Sequence, residues 1–173
     1  MVRCFLAIFP LNEEIIKKVE IIKKDIKNFL IGKAVEKENL HITISFFGEV
    51  NEKELKEILE KTEKTVEKIN GCVAFINGIK LIPNENFIRV IALEVFGLEN
   101  ISKEIEKNVG GDVKPPHLTI YRVKKVFEKN KLMDFCRKVK IDEYIEVKEL
   151  KLIKSTLTKN GPIYEVITTF KLL

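Results

Sequence analysis

Tryptophan is absent from this chain, and histidine, the side chain whose ordinary pKa lies nearest neutrality, occurs only twice, as His41 and His117. Two histidines cannot build a histidine-rich metal centre. The three cysteines, Cys4, Cys72 and Cys136, stand far apart in apolar surroundings without a CxxC pair, so zinc lacks a ligand set, and the scattered carboxylates name no magnesium site. Their odd number and spacing also argue against a disulfide framework and for a reducing, cytoplasmic setting. No apolar run approaches the roughly 18 residues of a membrane helix. The run from Phe5 to Leu11 lacks the small-residue cleavage site of an export signal, so no membrane partner is expected. There is no GxxxxGK loop, hence no sign of nucleoside triphosphate use through that device, and no cofactor is implied. With no linker or low-complexity stretch, residues 1–173 read as a single domain of two lobes.

Charge, by contrast, is abundant. Lys and Arg number 31 against 26 acidic residues, a net charge of +5 with a pI near 9.0, which suits a polyanionic partner but serves solubility equally well. The excess is uneven, for the segment from Arg122 to Lys140 holds eight Lys or Arg against two acidic residues. It is either the approach for a phosphate chain or the solvated face of a helix.

Apolar periodicity divides the chain into a strand over residues 2–9, then a helix capped by Asn12 and closed by Gly32. A polar loop leads to a strand over residues 40–47. Asn51 followed by Glu54 predicts a capping box at the head of a second helix, with Leu55, Ile58, Leu59, Thr62, Val66 and Ile69 on one face. Residues 72–82 and 87–96 read as a hairpin across Pro83-Asn84-Glu85-Asn86. A short helix stopped by Gly110-Gly111, a strand over residues 117–123 and a fourth helix follow, and residues 144–155 and 163–172 read as the last two strands. The order βαβαβ then βαβαββ is a degenerate repeat. It predicts an α+β fold of two pseudo-symmetric lobes of antiparallel sheet with outer helices around a central cleft.

Both histidines lie in the same four-residue pattern, His41-Ile42-Thr43-Ile44 and His117-Leu118-Thr119-Ile120. With eight threonines in the chain, a threonine two places after both histidines is expected by chance on the order of 0.2 % of the time. In a strand, alternation turns His and Thr to one face and the two apolar residues to the other. A pseudo-twofold would then bring two imidazoles and two hydroxyls to one cavity. Alternation also carries Ser45 and Phe47 onto the first motif's face and Tyr121 onto the second's. Phe47 and Tyr121 would there stack a base or ribose or pack at the rim, whereas Ser45 would be solvated. Arg122 would point away from His117 unless the strand bulges or ends there.

Near pH 7 one imidazole of such a pair is neutral and the other protonated, the base and acid that an in-line phosphodiester cleavage needs. The hydroxyls of Thr43 and Thr119 would donate to non-bridging phosphate oxygens, and Arg122 would supply countercharge. Three readings remain open on the residues: a phosphodiesterase acting on RNA, one acting on small cyclic nucleotides, and an RNA-binding module without turnover.

The two motifs with their flanks resemble the two-histidine phosphoesterases, most closely the RNA 2′,3′-cyclic phosphodiesterase branch, also called 2′-5′ RNA ligases. The matching stretches are Arg3-Cys4-Phe5-Leu6-Ala7-Ile8, Asn39 to Ile44 with Phe46-Phe47-Gly48-Glu49-Val50, Pro116 to Ile120 with Arg122, and Gly161-Pro162-Ile163-Tyr164-Glu165. The resemblance implies that His41 donates the proton and His117 accepts one from water, opening a 2′,3′-cyclic phosphate to a 2′-phosphate, with reverse 2′-5′ ligation at the same site. It adds Arg3 and Tyr164 to the site, Tyr164 as a base or ribose contact. The implied partner is RNA with 2′,3′-cyclic phosphate ends, tRNA-derived RNA among the candidates, bound by a monomer. Lys33 and Lys114 are further candidates for RNA contact from loops. Relatives often carry a tryptophan before the first motif and a small residue after the second. This chain has no tryptophan and has Tyr121 at the latter place, which bears on base recognition and not on the acid-base pair.

Overall fold

The computed structural model describes residues Met1–Leu173 as nine strands and four α-helices. In chain order these are β1 (Val2–Ile8), α1 (Glu13–Ile26), β2 (Leu30–Ala34), β3 (Ile42–Val50), α2 (Glu52–Val66), β4 (Cys72–Asn84), β5 (Phe87–Phe96), α3 (Glu99–Asn108), β6 (His117–Val126), α4 (Lys129–Lys138), β7 (Lys140–Val147), β8 (Glu149–Thr158) and β9 (Gly161–Lys171). Two of the helices, α1 and α2, begin where side chains satisfy free backbone donors. Asn12 Oδ1 accepts from Ile15 N at 2.9 Å, and Asn51 and Glu54 form the expected reciprocal capping box.

All strand pairings are antiparallel, in the order β7-β4-β5-β6-β3-β1-β8-β9, with β2 added on β6. The α+β arrangement of two lobes about a cleft is as expected. The division of the chain between the lobes is not, because β3, β1, β8 and β9 form one and β6, β5, β4 and β7 the other, so neither half of the chain builds a lobe alone. The helices cross over as well. After leaving β1, α1 packs on β6 and β7 of the other lobe, whereas α3 leaves β5 to pack behind β3. One hydrophobic core runs behind both lobes, from Leu6, Ile15 and Ile44 to Ile76, Leu93 and Ile120.

Two sequence expectations are corrected here. Gly32 does not close α1, which ends near Ile26; it lies in β2, paired with β6, where an added Cβ would collide with Arg122 O. Only Leu30 of β2 is buried, so the strand carries no apolar alternation and depends on a ladder supplied by β6. The apolar run of residues 144–155 is not one strand but the end of β7 and the start of β8, divided at Lys148. There the chain passes from pairing with β4 in one lobe to pairing with β1 in the other. Cys4 and Cys136 are buried, all three cysteines are free, and burial pushes the Cys136 thiol up to about 11.

Candidate active site

The motif strands β3 and β6 are the innermost strands of their lobes and meet at a single register pair, Ile42 opposite Leu118. That register sets His41 across from Thr119 and Thr43 across from His117. The two imidazoles are therefore diagonal neighbours, a relation that spans about 7–8 Å in an antiparallel pair. Further along β6 the place of β3 is taken by β2, so the two motif strands part beyond their single contact. A cavity of about 550 Å³ opens at this seam, and His41, Thr43, His117, Thr119, Arg122 and Tyr164 all line it.

Arg122 arrives there because both motif strands carry an irregularity at the same point. In β3, Thr43 faces Ala7 and Ser45 faces Leu6, with Ile44 left over; in β6, Thr119 faces Ala92 and Tyr121 faces Ile91, with Ile120 left over. A β-bulge thus follows each motif threonine and reverses the alternation beyond it. Residues two places after threonine, Ser45 and Tyr121, turn into the core, and those three places after, Phe46 and Arg122, turn to the cleft.

Tyr121 is accordingly not a cleft residue, being 7 % exposed within the core, and Phe47 also packs on the core side, against the site of Gly111. Ser45 is fully buried and donates to Gly110 O at 2.6 Å instead of meeting solvent. Phe46, which strict alternation hides, lines the cleft with Arg3 stacked 4.7 Å from its ring centroid. The signal that would have found it is the repeat itself, since Phe46 occupies in the first motif the place Arg122 holds in the second.

Each imidazole is oriented the same way. His41 Nδ1 lies 2.7 Å from Asn39 O and His117 Nδ1 lies 3.0 Å from Pro115 O, the carbonyl two residues earlier in both cases. A carbonyl only accepts, so each Nδ1 carries the proton and donates it, leaving Nε2 free for chemistry. Asn39 is held in turn by Nδ2 donating to Pro162 O at 3.1 Å, so the start of β9 orients the first histidine. The loop before His117 is docked on β3 by paired bonds between Phe46 and Asp112, N to O at 3.0 Å and 2.8 Å.

Burial holds the His41 pKa below the ordinary imidazole value, opposed by its bond to Asn39 and reinforced by the charges of Arg122 and His117. Its ring meets Phe5 at 4.8 Å and the edge of Tyr164 at 5.3 Å between centroids. Burial raises the Tyr164 phenol, so it stays protonated. Lys33 and Lys114 also line the cleft, Lys33 Nζ donating to Asn160 O at 2.8 Å and Lys114 lying 3.4 Å from Asp112. Of the basic segment 122–140, only Arg122 reaches the cleft. No three His, Cys, Asp or Glu side chains converge anywhere, and no helix is long and apolar enough to cross a membrane.

Residues 8–92 match the sequence model of the LigT-like phosphoesterase family. A protein of Methanocaldococcus jannaschii named RNA 2′,3′-cyclic phosphodiesterase is 46 % identical over 95 % of this chain and 98 % of its own length. Proteins of the same name from Archaeoglobus fulgidus and Aquifex aeolicus are 34 % and 31 % identical, each covering 98 % or more of both chains. Among solved structures, a Thermus thermophilus protein superposes with a TM-score of 0.81 at 23 % identity, covering 98 % of this chain and 97 % of that one. The Escherichia coli LigT structure complexed with 3′-AMP superposes with a TM-score of 0.70 at 19 % identity, covering 99 % and 97 %. At these identities the solved structures speak for the fold.

Proposed function

Because the chain belongs to the LigT-like phosphoesterase family, with RNA 2′,3′-cyclic phosphodiesterases as its relatives along the full length, we propose that it opens RNA 2′,3′-cyclic phosphate ends to 2′-phosphates by metal-independent acid-base catalysis. The observation that carries the reading is the convergence of both His-Thr pairs and one arginine on a single cleft.

In the proposed reaction His117 Nε2 takes a proton from water as its oxygen attacks phosphorus. The bond from phosphorus to O3′ breaks, and protonated His41 gives its Nε2 proton to O3′, leaving a 3′-hydroxyl and a 2′-phosphate. Thr43 and Thr119 donate to the non-bridging oxygens, and Arg122 balances charge that accumulates on them in the transition state. Tyr164 and Phe46 bound the space for the terminal ribose and base. Replacing water by the 5′-hydroxyl of another RNA strand would give a 2′-5′ bond, the ligation reading of the same site. A monomer acting without a cofactor belongs to the same proposal, with both histidines, both threonines and Arg122 lining one cleft. A cytoplasmic setting and tRNA-derived ends among the substrates belong to the same proposal.

The test is turnover of an oligoribonucleotide with a 2′,3′-cyclic phosphate end in EDTA, beside a nucleoside 2′,3′-cyclic phosphate and the variants His41→Ala and His117→Ala. RNA turnover that survives EDTA and is lost in both variants is expected, with 2′-phosphate as product. Turnover of the mononucleotide alone would mean a small-nucleotide enzyme, and binding without turnover would mean a noncatalytic module. Recovery of 3′-phosphate would reverse the assignment of acid and base.

A further inference from the structure

We infer that the sheet face beyond His117 is a stacking platform for the nucleotides adjoining the reacting end, built on Phe96, Phe75 and Tyr144. The inference rests on the reading of the cleft as an RNA phosphodiester site and extends it to the polymer.

The register places these rings on the catalytic face. His117 is paired with Glu94 and Thr119 with Ala92, so Ala92 and Glu94 share the motif face, and regular alternation along β5 adds Phe96 to them. Phe96 is paired with Phe75 on β4, and Phe75 with Tyr144 on β7. Three aromatic side chains thus stand in one row across three neighbouring strands. The row lies two residues along β5 from the His117 row, about 7 Å at the rise of a strand.

These rings are not core residues that happen to reach the surface. The core side of the same strands is filled by Ile76, Val95 and Ile145, and the helices pack there. Phe96 is 45 % exposed and Tyr144 65 %, and the rings of Phe75 and Tyr144 lie 4.8 Å apart at an interplanar angle of 36°. Solvated aromatics on the open face of an antiparallel sheet offer π-faces on which bases of any identity stack.

A groove joins the row to the cleft. This second cavity, of about 570 Å³, shares Lys114 and Pro115 with the catalytic cavity and reaches Phe96 and Lys80. Lys80, Lys103 and Lys114 line it against Glu94, Glu99 and Glu106, so its charges balance. Attraction of phosphates alone would not hold a strand there. Stacking would, and an RNA gripped by its terminal phosphate has to lay its next nucleotides on one of the surfaces leaving the cleft.

The experiment compares kcat/KM on a single-stranded oligoribonucleotide ending in a 2′,3′-cyclic phosphate with kcat/KM on the nucleoside 2′,3′-cyclic phosphate. In Tyr144→Ala, and in Phe96→Ala with Tyr144→Ala, the ratio of the two is expected to fall about fivefold to 100-fold, the range of a base stacked on an aromatic ring. Tyr144→Phe is expected to keep it, since the ring and not the hydroxyl is used. A ratio within twofold of wild type in the alanine variants overturns the platform, whatever the catalytic site does, and leaves the aromatic row to a protein partner. Should the wild type turn over neither substrate, the catalytic reading fails separately. Fluorescence anisotropy with uncleaved single-stranded RNA then decides the platform: weaker binding by Tyr144→Ala supports it, and equal binding overturns it.

Discussion

Burial among Phe5 and Tyr164 favours the uncharged form of His41, yet the proposed reaction needs that ring protonated. The two statements meet in the substrate, whose anionic phosphate acts on His41 with the opposite sign to Arg122 and His117. Removing the base isolates the acid. In His117→Ala, with turnover reduced about 10²- to 10⁴-fold, the residual kcat/KM, which reports the free enzyme, should decline as pH rises through the depressed pKa of His41, below the ordinary 6.5. A residual rate that instead rises with pH would make His41 the base. Inorganic phosphate should move the titration of the His41 ring upward when followed by NMR, because a bound anion stabilises imidazolium. Both histidines and both threonines could be read from sequence because a repeated pattern needs no knowledge of register. Phe46, Phe47, Tyr121 and Ser45 could not, because a single inserted residue after each threonine reverses the face of everything that follows.

The elements that were legible are those whose signals are local. The capping box of α2 is one, and Asn51→Ala should cost about 1 kcal/mol, lowering Tm by about 2–4 °C while leaving kcat unchanged. A larger loss, or a change in kcat, would show the cap coupled to the site through α3. β2 gave no local signal because its partner, β6, lies some 90 residues further on and supplies its ladder. Gly32 records that pairing. In Gly32→Ala the new methyl meets Arg122 O, a backbone clash that overpacking data put at about 1–3 kcal/mol. Since the peptide pushed aside carries Arg122, KM for RNA should rise along with the fall in Tm. A destabilised variant with unchanged KM would mean that Arg122 does not contact the substrate. The break between β7 and β8 was equally hidden, for nothing near Lys148 announces that the two strands pair in different lobes.

At the scale of the whole molecule, the positive charge of the 122–140 segment follows the second of its two readings, the solvated face of a helix, with Arg122 alone reaching the cleft. α4, which carries Lys129, Lys131, Arg137 and Lys138, packs against the core side of β4, the face opposite the one that leads into the cleft. Arg137 is paired there with Asp134 of the same helix and Lys131 with Glu128 at its N-cap. Lys33, Lys114 and Arg122 are the cations that line the cleft, and the groove beyond it is balanced in charge. A single strand that releases about 0.7 counterions per neutralised phosphate should therefore show log K falling against log salt with a slope near −2, from about three contacts. Recruiting the eight basic residues of the 122–140 segment would instead give a slope of roughly −5 to −6. Anisotropy titrations of single-stranded RNA over a range of salt distinguish the two, and a triple charge reversal of Lys129, Lys131 and Arg137 to Glu should leave the slope in place. A steep slope, abolished by that reversal, would route the RNA over the helical side of the molecule and away from the aromatic row.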